Sequence, residues 1–130
     1  MERDRRIVIG TVEVPVGDVR RAQRWYEELL DLECAWFDDA HALLHPPGSK
    51  SPSILLVQTA DPTRLGFEGS NAIRHAGLDF GTTDLDGLHA RLVARGVDAD
   101  ALEQPAHDWA PRGFGFIDSE GNRLAAFEIG

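Results

Sequence analysis

Twice in this chain an alternating strand runs into an aspartate that opens an amphipathic helix, first at Asp18-Val19 and again at Asp84-Leu85. The strand before the first is Ile7 to Val16, with Val12, Val14 and Val16 on one face and Thr11, Glu13 and Pro15 on the other. The strand before the second is Ile73 to Phe80. Aspartate is a strong N-cap because its carboxylate accepts the unpaired N–H groups of a first helical turn. Each helix carries one apolar stripe: Val19, Ala22, Tyr26, Leu29 and Leu30 in the first, and Leu85, Leu88, Leu92 and Val93 in the second. Asp31 and Gly96 end them, the aspartate at a left-handed position that suits glycine better. Leu32 and Val97 extend the match, giving an internal repeat with an offset of about 65 residues. A strand and helix that cannot bury their faces alone come twice, which confines the chain to two small modules packed together.

The segments between are short. Cys34 to Phe37, Ala42 to His45 and Ser53 to Gln58 read as strands, separated by Asp38-Asp39 and by the loop Pro46-Pro47-Gly48-Ser49-Lys50. Ala60 to Asn71 reads as a connection, so module one covers about 7–59, the linker about 60–72 and module two about 73–130. Near the C-terminus, Gly113 to Phe127 is a hairpin by pattern, its apolar runs interrupted by Asp118-Ser119-Glu120-Gly121-Asn122. Asp118 can accept N–H bonds at the start of that turn, and Gly121 falls where a positive φ is needed.

Composition excludes several classes. With 130 residues, 42% hydrophobic and 27% charged, the chain is one ordinary globular domain. A formal charge of −9 argues against nucleic acid, whose phosphates require clustered lysine and arginine. No apolar run reaches the length of a membrane span, and Met1 to Arg6 lacks the apolar stretch of a signal peptide, so a cytoplasmic location is expected. The single cysteine, Cys34, permits no intrachain disulfide and reads as a packed side chain.

Strand, helix, Trp109-Ala110-Pro111-Arg112 and the Asp118 to Asn122 turn, in that order, resemble the second half of the vicinal oxygen chelate superfamily. This superfamily holds glyoxalase I, the bleomycin-resistance binding proteins and the extradiol dioxygenases. Val12 to Val19 leading into Arg21 to Leu30 extends the resemblance to the first half. It implies an α+β fold of paired βαβββ modules, an open curled sheet around a cavity, and a homodimer that completes the cavity.

The resemblance also poses a metal question. Catalytic members hold one divalent ion with His, Gln or Glu from the first and last strands of each module. The matching positions here fall on Thr11 and Leu55 in the first module and on His75 and Ala125 in the second. Only His75 is a competent ligand, with Glu13 the one acid that could substitute, so no metal cofactor is expected. The other histidines have ordinary readings: His41 and His45 lie about 13 Å apart on a strand, His89 on a helix's polar side and His107 in a loop.

The expected ligand-binding residues are Thr11, Glu13, Trp36, His75, Asp79, Trp109, Arg112, Phe114 and Arg123. A few polar groups among apolar and aromatic walls suit an organic small molecule. Structural readings stand beside these: the aromatics as core or dimer contacts, Arg112 paired with Asp118, and Arg123 neighbouring Glu13. The function expected is small-molecule binding without a catalytic metal. The alternatives are a metal-dependent lyase, isomerase or dioxygenase built around His75 and Glu13, and a scaffold with a vestigial cavity.

Overall fold

The computed structural model describes residues 6–102, 104–105 and 108–130. In chain order the elements are β1 (Thr11–Val16), α1 (Val19–Leu30), β2 (Glu33–Phe37), β3 (His41–His45), β4 (Ser53–Gln58), β5 (Phe67–Glu68), β6 (Arg74–His75), β7 (Asp79–Thr82), α2 (Leu85–Ala94), β8 (Gly113–Ile117) and β9 (Arg123–Glu128). The first four strands make a sheet in the order β1-β4-β3-β2, with β1 parallel to β4 and the other pairs antiparallel. The sheet β7-β9-β8 repeats the scheme. A single bridge from Ala99 to Phe116 stands where the first sheet has β2.

Both helices begin as their sequences dictate. The Asp18 carboxylate accepts the Arg21 N–H at 3.0 Å, and Asp84 accepts that of Gly87 at 3.0 Å. At the end of α1, Asp31 adopts φ 55°, ψ 29°, a conformation that costs a non-glycine residue roughly 1 kcal/mol. The helical stripes and the inner sheet faces share one core. Val14, Val16, Leu44 and Leu56 come from the first sheet, Phe116, Leu124 and Ala126 from the second, with Tyr26, Leu29, Leu85 and Leu92 between them. Val93 is exposed, so the stripe of α2 is narrower than its sequence suggests.

The strand expected over Ile73 to Phe80 is divided. Arg74 and His75 belong to a separate hairpin with Phe67 and Glu68, inside the connection expected to be strandless. The cause lies at the start of β9, where the Arg123 N–H donates to the Leu65 carbonyl at 2.9 Å. Pairing with the chain that leads into β7 starts at the Arg123 carbonyl, which accepts the Gly77 N–H at 3.2 Å, and continues at Ala125, whose N–H reaches the Leu78 carbonyl at 3.0 Å.

The turn between β8 and β9 joins the two halves. Asp118 accepts the N–H groups of Glu120 and Asn122, each at 2.8 Å, as its place in the sequence predicts, and Gly121 has φ 94°. Its second oxygen accepts the Tyr26 hydroxyl at 2.6 Å, across 92 residues of chain. Fully buried Asn122 donates to the Pro15 carbonyl and accepts the Leu65 N–H, both at 2.8 Å. Glu120 caps α1 from outside by accepting the N–H groups of Gly17 and Asp18. The same carboxylate takes two bonds from the Arg21 guanidinium at 2.9 Å and one from the Ser119 hydroxyl. Burial alone would raise the Glu120 pKa, but these donors outweigh it and hold the group at about 2. Burial, reinforced by the Asp118 charge, raises the Tyr26 hydroxyl well above its ordinary range.

Candidate ligand-binding site

One face of each sheet carries the helices and the other is open. Strand alternation sends Glu13, Leu55, Leu43 and Trp36 to the open face of the first sheet, and register makes them one row across β1, β4, β3 and β2. Leu43 and Leu55 are half-buried, while Trp36 is 51% exposed and lies 6.2 Å from the His41 ring. A register shift between Cys34 and Trp36 brings the indole opposite Leu43. The corresponding row of the second sheet is Asp79, Ala125 and Gly115. Gly115 leaves room there for the Arg123 guanidinium and the Asp100 carboxylate, both of which would have to shift to admit a Cβ.

This register revises the family positions. Opposite Leu55 stands Glu13, and opposite Ala125 stands Asp79. Thr11 instead faces Ser53, with the two hydroxyl oxygens 2.9 Å apart. His75 leaves the sheet altogether and stacks on Phe67 at 5.1 Å, exposed. A divalent ion of the kind the superfamily implies would therefore meet one carboxylate and one hydrocarbon side chain in each register pair. Among the described residues no three His, Cys, Asp or Glu side chains are grouped to hold an ion. This donor set falls short of the three protein ligands a catalytic ion needs.

Other expected site residues have structural employment. Phe114 is 6% exposed on the helix-bearing face, edge-on to His89 and beside Phe116, so it belongs to the core rather than to an open wall. Arg112 pairs with Asp86 at 2.8 Å and Glu128 at 2.6 Å, not with Asp118, and both lower the odds of its ever losing its proton. Arg123 pairs with Asp100 at 2.6 Å rather than with Glu13. Trp109 is 82% exposed in the loop before β8. His41 meets Asp38, His45 the Pro46 carbonyl and His89 the Asp100 carbonyl, each at 2.9 Å. His107 lies outside the described residues.

Sequence reasoning missed Leu43 and Val57 as open-face residues. Alternation with buried Ala42, Leu44 and Leu56 was the signal that could have found them. Of the expected set, then, Glu13 and Trp36 share one open row, Asp79 occupies the other, and Arg123 lies beside it over Gly115.

Comparison with known proteins agrees with this architecture. Solved structures of similar fold include TnmS3, an antibiotic binding protein from Streptomyces sp. CB03234, at TM-score 0.77 and 23% identity, covering 98% of this chain and all of that one. A glyoxalase/bleomycin resistance protein/dioxygenase superfamily member from Sphaerobacter thermophilus DSM 20745 matches at TM-score 0.73 and 22% identity, over 95% and 98% of the two chains. A glyoxalase/bleomycin resistance protein from Streptomyces sp. CB03234 matches at 0.67 and 24%, over 91% and 97%. Among curated protein sequences none matches significantly. No helix among the described residues is long and apolar enough to cross a membrane. The model of the glyoxalase-like domain matches residues 11–127, nearly the whole of the repeat described above, and the chain belongs to that family within the vicinal oxygen chelate superfamily.

Proposed function

We propose that the chain binds an organic small molecule against its open sheet faces without a catalytic metal, in the manner of a sequestering protein, and that two copies pair to complete the cavity. The observation that carries this reading is the row Glu13, Leu55, Leu43 and Trp36, an apolar strip with an aromatic ring at one end and a carboxylate at the other. Such a strip offers stacking and apolar contact to a ring system and accepts a hydrogen bond from its polar edge. Half-exposed leucines on a sheet face also favour a covering surface, and a second copy supplies one. The description of TnmS3 as an antibiotic binding protein supports a ligand of that general kind.

The test is a fluorescence titration with planar aromatic, cationic and thiol-conjugate compounds, run on the wild type and on Leu55→Arg, with light scattering for the oligomeric state. Quenching that saturates in the wild type and disappears in the variant supports the reading. Silence across the whole set sinks it. Elemental analysis of the same protein decides the metal: stoichiometric nickel, iron, manganese or zinc, whose removal by EDTA lowers the thermal midpoint, would favour a metal-dependent lyase, isomerase or dioxygenase instead.

A further inference from the structure

The repeat provides two equivalent joints between its halves, and only one is closed. At the end of β1 the Asp118 to Asn122 turn seats on Pro15, Gly17 and Asp18 through side-chain hydrogen bonds. The equivalent joint lies between the β3–β4 loop and the end of β7. That loop reads Pro46-Pro47-Gly48-Ser49-Lys50-Ser51-Pro52. Its prolines have no N–H to donate, and no carboxylate or amide side chain replaces Asp118, Glu120 or Asn122.

There the chain stands apart around two abutting cavities of about 210 and 200 Å³. They share Leu32, Pro46, Phe80 and Gly81. Val12 and Ile54 wall the outer one, and Leu30 and Leu88 the inner. Val12, Ile54 and Phe80 alternate with residues of the open faces, so the groove lies on the helix-bearing side, away from the Trp36 row.

Asp79 apart, its polar lining is already paired. The Ser53 hydroxyl meets Thr11 at 2.9 Å and the Gly10 carbonyl at 3.3 Å, and the Thr82 hydroxyl accepts the Asp84 N–H at 3.1 Å. Arg91 is bound to Asp31 at 3.1 Å. Asp79 belongs by alternation to the open face. What remains for an occupant is mainly hydrocarbon contact, in two partly open chambers each with room for an aromatic ring, since roughly 150 Å³ accommodates benzene.

We propose that this groove is a second binding site, separate from the open faces, for a neutral apolar molecule of one or two rings. It goes beyond the function proposed above and does not depend on it. An amide-resolved NMR titration with toluene, benzylammonium and phenylacetate tests it, since these share a ring and differ in charge. Toluene is expected to shift Leu32, Gly81 and Leu88 saturably, with either ion at least tenfold weaker. Val12→Phe, which fills the outer chamber, should weaken toluene at least tenfold, whereas Val12→Ala, which enlarges it, should retain binding. Shifts confined to Leu43, Leu55 and Ala125 would overturn the second site while leaving the open-face reading intact. Wild-type affinity in Val12→Phe, or no saturation with any of the three probes, would overturn it as well.

Discussion

Replacing Glu120 by glutamine keeps the shape of the side chain and removes its charge, which isolates the carboxylate that ties the last turn to the first helix. Its side chain has no solvent exposure, and its pKa is lowered from 4.5 to about 2. A group whose pKa falls on folding stabilises the native state above its unfolded value and loses that contribution as pH drops through the folded value. The shift corresponds to about 3 kcal/mol, present near neutral pH and lost between roughly pH 4.5 and 2. Urea unfolding of wild type and Glu120→Gln at half-unit steps from pH 7 to 2 measures it. The stability gap should be about 3 kcal/mol or somewhat less at pH 7, because the amide oxygen still accepts N–H bonds, and should close through the acid window. Other carboxylates titrate in both proteins and cancel in the difference. Curves that fall in parallel from pH 5 to 2 would refute the assignment of this acid sensitivity to Glu120.

Three further outcomes follow from the geometry. Tyr26→Phe removes a 2.6 Å bond to a buried carboxylate and should cost about 1.5–3 kcal/mol in chemical denaturation, with no change in the far-ultraviolet spectrum. Asp31→Gly relieves a left-handed backbone and should stabilise by about 0.5–1 kcal/mol, since the ion pair it gives up with Arg91 is exposed; a lower melting temperature would contradict this. Arg112→Ala should cost less than about 1 kcal/mol in urea unfolding despite two acidic partners, because Asp86 and Glu128 are both open to solvent.

What was legible in the sequence was local. Asp18, Asp84 and Gly121 announce caps and a turn through interactions within a few residues, and the valines of β1 announce a face through simple alternation. The register of the last hairpin was legible too, had Phe114 been placed against Ala126 instead of grouped with the open wall. The partners of Arg112 and Arg123 were not, since Asp86 and Asp100 lie more than twenty residues away and nothing in composition selects them over other acids. Nor was the division at His75, which depends on Leu65 claiming the Arg123 N–H from another part of the chain. The errors at the site share that origin: the positions facing Leu55 and Ala125 are set by tertiary pairing, and a two-residue slip at β1 exchanged Glu13 for Thr11.

The turn that holds Tyr26, Pro15 and the start of α1 is made of residues 118 to 122, some 92 to 107 residues further along the chain. While the ribosome is still extending the chain, the amino-terminal half has a hydroxyl and several amides whose acceptors do not yet exist. Its contacts span about a hundred residues, the kind of separation that slows folding. Disabling the turn while leaving β9 in place, with Asp118→Ala and Asn122→Ala together, should therefore injure the opposite end of the sequence first, with hydrogen exchange accelerating in α1 before α2.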